Sequence, residues 1–355
     1  YISNFKLFKK LIREDKNNNG ELSYFKSINP KEIEFRYIKN WFDIGSKETK
    51  ENAEIYFSKK SILPKYDQGI FFKKDKVLKF FTNPQLIKKR YDRSKILYPY
   101  VPKVIYKKKY FYIYKYVEGK IFSQVQNKEK SFLRLLMWLN KKFWKKINLN
   151  DKQYHNFSQR CNNFYYEKSL SRINYLYEKN NLKDEREIIN NVKVKKISEI
   201  FKQIDWLKLN SGLAVNFHGD LHFENIIRTK KSFILLDWRE DFDGLKDYGD
   251  IYYDLAKLNH GLIVDHSMIK NFNFNVFKQK DIVKIKFFQS KENKSCQKIL
   301  FDFIKKEKLS ILKVKILTAL IFLNIAGLHH YPYSIFLYYL GKLYLHKSIK
   351  NSKVK

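Results

Sequence analysis

Cysteine is scarce. The 355 residues contain only Cys161 and Cys296, far apart and in unrelated contexts. They offer no disulfide framework and no zinc-ligand spacing, so a reducing, cytoplasmic setting is expected. Glycine is also sparse, at 11 residues, and no G-x-x-x-x-G-K-[ST] run is present, which excludes a P-loop nucleotide site. Acidic residues number 36 against 72 basic ones, a formal charge of +36. Long apolar runs are missing too. The stretch Ile316 to Leu328 contains Asn324 and falls short of the roughly twenty residues that cross a bilayer. It is expected as a buried helix, and no transmembrane segment is expected. The chain opens at Tyr1 without Met and without the basic and apolar regions of a signal peptide, so a fragment or processed form is expected.

What is present is an apolar, aromatic chain. Hydrophobic residues make up 44% and aromatics 17%, too much for a disordered protein. The lysines are spread along the whole length beside abundant Asn, Ile, Phe and Tyr, the composition expected of an AT-rich genome. No nucleic-acid recognition motif accompanies the charge, so no specific nucleic-acid partner is expected. The charge favours small polyanions such as nucleotides, with salt-sensitive binding.

The chain reads as four parts: an N-terminal segment 1–60, a small β-rich lobe 61–119, a larger helical lobe 120–346 and a frayed tail 347–355. Two apolar strands flank a polar turn in Gly69 to Phe81, and Val104–Ile105 with Tyr110 to Tyr116 forms a second hairpin. Asn83 and Pro84 open a helix to about Leu97. Helices are expected over Phe164 to Tyr177, Asp184 to Leu209, Ile251 to Leu262, Lys298 to Lys308, Ser310 to Leu328 and Ser334 to Leu345. One hairpin interrupts them, Ile226 to Arg228 and Ser232 to Leu236.

That hairpin belongs to the most informative stretch, FHGDLHFENIIRTKKSFILLDW, Phe217 to Trp238. Asp220 and Asn225 have the Asp-x-x-x-x-Asn spacing of a phosphoryl-transfer loop, and Asp237 follows at a strand end. A carboxylate at Asp220 can orient an acceptor hydroxyl and take its proton. Asn225 and Asp237 offer hard oxygen donors of the kind magnesium prefers.

HGDLHFEN followed by LLDW resembles the aminoglycoside phosphotransferase and choline kinase family. The resemblance covers about Gly69 to Leu345 and implies an α+β, protein-kinase-like fold of two lobes. It implies ATP and Mg2+ as cofactors, Asp220 as catalytic aspartate, and Asn225 and Asp237 as metal ligands. His218 and Asp254 would support the loop, the latter within GDIYYDLA, with Asp250 capping a helix. Lys79 resembles the strand lysine that meets the phosphates. YKYVEG, Tyr114 to Gly119, is similar to the inter-lobe hinge, so Tyr116 and Val117 would meet the adenine. Two departures stand out: the helix 84–97 offers Asp92 but no Glu for the strand lysine, and no Gly-rich phosphate loop follows Gly69.

The implied activity is transfer of the γ-phosphate of ATP to a hydroxyl of a small molecule: a sugar, amino sugar, aminoglycoside or choline-like alcohol. A nucleotide-binding, pseudokinase-like module without transfer is the alternative. Glu240 to Asp243 would suit a cationic acceptor and Arg239 an anionic one. NWFDIGSKETKENA, Asn40 to Ala53, is similar to the end of a sugar nucleotidyltransferase, with Asp43 at its metal position. That likeness implies a link to surface-polysaccharide metabolism.

Overall fold

The computed structural model describes Ser46, Thr49 and residues 68–271 and 273–352. Pro64–Lys355 forms one compact unit, and Tyr1–Leu63 forms another. In the latter, the Ser46 and Thr49 hydroxyls lie 2.9 Å apart. Asp43 falls outside the described residues.

The larger unit has the expected two-lobed α+β arrangement, a small β-rich lobe and a larger, mainly helical one. Its small lobe is an antiparallel sheet of β1 (Gln68–Lys73), β2 (Lys76–Phe81), β3 (Val104–Lys107) and β4 (Phe111–Lys115), in the order β1-β2-β4-β3. Strand alternation turns Val77, Lys79 and Phe81 inward, so a lysine is buried at 3% exposure among apolar neighbours. Helix α1 (Pro84–Leu97) packs on this sheet, and the Asn83 side chain caps it by accepting from the Gln85 N–H at 2.9 Å.

Residues 116–119 lead from β4 into β5 (Lys120–Ile121), which pairs with β9 (Ile226–Arg228) of the catalytic hairpin. Gly119 has φ 153, and a Cβ there would sit 2.5 Å from the Arg228 carbonyl oxygen. Only glycine allows the connection to lie this close to the hairpin.

The helical lobe starts with α2 (Lys128–Trp138), α3 (Asp151–Asn162) and α4 (Lys168–Asn180). The single helix expected over Asp184 to Leu209 is instead a hairpin, β6 (Glu187–Ile189) with β7 (Val192–Val194), followed by short helices α5 (Ile197–Phe201) and α6 (Trp206–Asn210). The turn residues Asn190 and Asn191 have φ 47 and 64, as a two-residue hairpin turn requires. A further hairpin, β12 (Phe274–Gln279) and β13 (Ile282–Phe287), extends it to four strands. The helical lobe therefore carries a second sheet besides the catalytic hairpin.

Two short strands, β8 (Ala214–Val215) and β11 (Gly249–Asp250), bracket the catalytic segment, and β9 pairs with β10 (Phe233–Leu235) inside it. Helix α7 (Ile251–Ile263) and the short α8 (His266–Lys270) follow. The chain ends in α9 (Lys291–Lys306), α10 (Ile311–Ala326) and α11 (Tyr333–Ser352). α10 is buried almost all round, as Ile316 to Leu328 implied, and its polar Thr318 donates to the Val314 carbonyl at 2.7 Å. The last helix runs well into the stretch expected to fray. No helix of the described residues is long and apolar enough to cross a membrane.

Candidate active site

The loop 216–225 has no regular pairing of its own, so its backbone groups need other partners. Asp254, fully buried in α7, accepts the N–H groups of His218 (2.8 Å) and Gly219 (2.7 Å) and the Trp144 indole N–H (3.0 Å). Burial pushes its carboxyl up to about 6, against the pull of those donors. Asp250 caps α7 through the Tyr252 N–H and also accepts from the Tyr165 hydroxyl at 2.7 Å. His218 is buried, and its Nδ1 accepts from the Asp220 N–H at 3.2 Å. Burial pushes its pKa down to about 3, so the ring is neutral and holds loop shape rather than charge.

Arg93 of α1 holds the same loop from the other side. Its guanidinium is wholly buried and donates to the carbonyls of Phe217, Arg239 and Lys246, the last at 3.0 Å. It lies 4.1 Å from the Phe217 ring centroid. Burial lowers its pKa to about 9, so it stays charged at neutral pH. The segment that carries Asp220 and Asp237 is thus clamped by a carboxylate on its amides and a guanidinium on its carbonyls.

Asp220 keeps 36% of its side chain exposed. Lys257 of α7, almost buried, reaches its carboxylate at 2.7 Å. Burial alone would raise the Asp220 pKa, but Lys257 and His222 outweigh it and hold the carboxyl well below its usual range. Asn225 donates from Nδ2 to the Asp220 carbonyl at 2.9 Å, which leaves its amide oxygen to face elsewhere. The Leu236 N–H donates to the Asn225 carbonyl at 2.7 Å, so the β9–β10 hairpin brings Asn225 beside the segment that carries Asp237.

Asp237 has φ 57, a left-handed conformation uncommon for a residue other than Gly. Its carboxylate pairs with Lys79, and Arg90 of α1 stands 3.9 Å away. Lys79 therefore meets the candidate metal-binding aspartate directly. The helix that might have supplied a carboxylate at Asp92 presents Arg90 and Arg93 instead. Asn225 and Asp237 supply hard oxygen donors on adjoining segments, a donor set that fits magnesium. Tyr116 and Val117 lie in the inter-lobe connection, where the Tyr116 N–H donates to the Asp75 carbonyl at 2.6 Å.

A second donor set adjoins the loop. Nitrogen or oxygen atoms of His222, Glu224 and His266 lie within 4.8 Å of one another and could hold a metal ion. Glu224 is 3.3 Å from His222 Nδ1 and 4.0 Å from His266 Nδ1.

Sequence reasoning missed Lys257 and Arg93. Asp250, Asp254 and Lys257 follow one another at helical i, i+4, i+7 spacing, a signal that GDIYYDLAK does contain.

No protein-family model matches the chain, and no curated protein matches it. Among solved structures it is similar to the ternary complex of APH(2")-IIa with streptomycin and ATP, at 14% identity and TM-score 0.44, covering 81% of this chain and 91% of that one. It is similar to ethanolamine kinase from Plasmodium vivax, at 15% identity and TM-score 0.43, covering 86% and 89%. It is also similar to a glucosamine kinase, at 10% identity and TM-score 0.46, covering 89% and 86%.

Proposed function

We propose that this chain is an ATP- and magnesium-dependent phosphotransferase acting on a hydroxyl of a small molecule. The observation that carries the reading is the set Asp220, Asn225, Asp237 and Lys79, held on a hairpin and a clamped loop. Asp220 is partly exposed and would orient the acceptor hydroxyl and receive its proton. Lys257 keeps Asp220 ionised, so its main role is orientation, with the proton moving as the bond forms. Asn225 and Asp237 would hold magnesium, which when bound neutralises charge on the β- and γ-phosphates. Lys79 would steady those phosphates from the small lobe. The backbone at Tyr116 and Val117 would receive the adenine. Cys161 and Cys296 are buried and free, in keeping with a cytoplasmic setting.

The alternative is a nucleotide-binding module without transfer. It draws support from Arg90 of α1, which places a second cation 3.9 Å from the Asp237 carboxylate that Lys79 already pairs with. Turnover of ATP with magnesium, against sugars, amino sugars, aminoglycosides, choline and phosphate-bearing alcohols, separates the two readings. Product that disappears in Asp220→Asn supports transfer. Intact MgATP binding without product from any acceptor supports the alternative.

A further inference from the structure

The acid cluster beside the site does not face an acceptor. Glu240 lies 3.6 Å from Arg90, Asp241 pairs with Lys89 at 3.0 Å, and Asp243 lies 3.3 Å from Arg160 and 3.0 Å from the Asn163 amide nitrogen. Glu224 is met by His222 and His266. Asp265 caps α8 and accepts from Asn293 at 2.8 Å. Each of these carboxylates is matched locally.

Two nearby cations, Arg239 and Lys168, are not. Arg239 follows Asp237 closely, and a Cβ on Gly219 would fall 2.5 Å from its Cβ, so its stem runs beside Asp220. Its guanidinium lies 4.9 Å from the Phe164 ring centroid, and the Lys168 ammonium lies 4.0 Å from the same ring. Lys257 stands at Asp220. Among the described residues no carboxylate lies within ion-pair distance of Lys168 or Arg239. Of the three, Lys257 alone pairs with Asp220. Burial holds the Lys168 pKa well down, and Arg239, Lys257 and Arg172 add to the effect while Glu240 opposes it. A charged lysine there gains from an incoming anion what its own surroundings withhold.

Building on the proposed phosphotransferase, we infer that the acceptor is anionic, an alcohol carrying a phosphate or carboxylate group that Lys168 and Arg239 bind while Asp220 orients its hydroxyl. An amine-bearing acceptor would meet like charge at these cations, which disfavours it.

The test is calorimetric titration of glucose 1-phosphate into the full chain saturated with magnesium and a non-hydrolysable ATP analogue. The analogue fills the γ-phosphate seat, and its own affinity is measured first. Failure to bind the analogue would sink the phosphotransferase reading itself. With the analogue bound, the expected result is saturable binding of glucose 1-phosphate, weakened at least tenfold in Lys168→Met and recovered in Lys168→Arg. Affinity for the analogue should be unchanged in both variants. Two results would overturn the inference: binding that vanishes once the analogue is present, which would assign these cations to the nucleotide, or binding indifferent to Lys168→Met. Turnover of choline or glucosamine alongside inert phosphate-bearing alcohols would overturn it as well.

Discussion

Arg93→Met tests whether α1 clamps the catalytic segment. Methionine fills much of the same volume against the Phe217 ring but donates nothing. The Arg239 and Lys246 carbonyls are partly exposed and can take water. The His218 carbonyl keeps the Arg239 N–H at 2.9 Å. The Phe217 carbonyl, in a residue with no exposed surface, loses the donor it has in Arg93. A stranded buried acceptor costs about 1–3 kcal/mol. Loss of a desolvated cation–π contact, 4.1 Å from the ring here, costs about 2 kcal/mol more. Removing a buried charge returns part of this, so the net is expected near 3 kcal/mol. For a unit spanning Pro64–Lys355 that is roughly 5 °C in Tm. Arg93→Lys should recover little, because one ammonium cannot span carbonyls that a planar fork reaches together. The assay is thermal unfolding at low and high salt. A buried cation predicts a loss that persists at high salt. Arg93→Met within 1 kcal/mol of the parent, or a loss erased by salt, would refute the clamp.

Other substitutions probe separate parts of the argument. Glu187 is buried between Lys342 at 2.5 Å, Lys278 at 2.9 Å and the Tyr339 hydroxyl at 3.1 Å, tying the second sheet to α11. Glu187→Ala strands a buried lysine and should cost about 3–5 kcal/mol in chemical denaturation. Gly119→Ala meets the Arg228 carbonyl and a strained φ, so it should destabilise the protein by more than 1 kcal/mol, read as a lower urea midpoint. His260 is buried against the Phe322 ring at 4.9 Å, and burial holds its pKa well down. The unfolded chain therefore binds the extra proton first, and stability falls as pH drops below about 6.5. Between pH 6.5 and 5.5 the parent should lose up to about 1 kcal/mol relative to His260→Phe, measured by denaturant titration at both pH values. Asp237→Asn should remove the magnesium dependence of ATP binding while leaving the fold intact.

The elements that could be read in advance share one property: local chemistry dictates them. Asn83–Pro84 starts a helix because the cap and the fixed φ act within a few residues, and α1 begins there. The Ile226–Arg228 hairpin follows from β-branched alternation around a polar turn. The sheet in the helical lobe was harder, because Glu187–Ile189 and Val192–Val194 are short and lysine-rich and sit inside a stretch with helical composition. Only the two asparagines at positive φ mark the turn, and a lone Asn-Asn pair is a weak signal.

The site was legible where oxygen donors are rare and opaque where cations are common. Asp220, Asn225 and Asp237 stand out because acids are outnumbered two to one. Lys257, Lys168 and Arg93 are hidden for the same reason, since any position in this chain has a fair chance of being basic. Their meaning comes from burial. A surface lysine is worth little, but Lys257 at 2.7 Å from Asp220 and Arg93 with no exposure are held out of water, where a charge persists only if its surroundings compensate it. Asp220 compensates Lys257, and backbone carbonyls compensate Arg93. Half-buried Lys168 has no carboxylate within ion-pair distance among the described residues, and on the proposed reading an anionic acceptor supplies its compensation. The acceptor's charge, which no motif in the sequence encodes, would then be set by the cation the protein leaves for a ligand to neutralise.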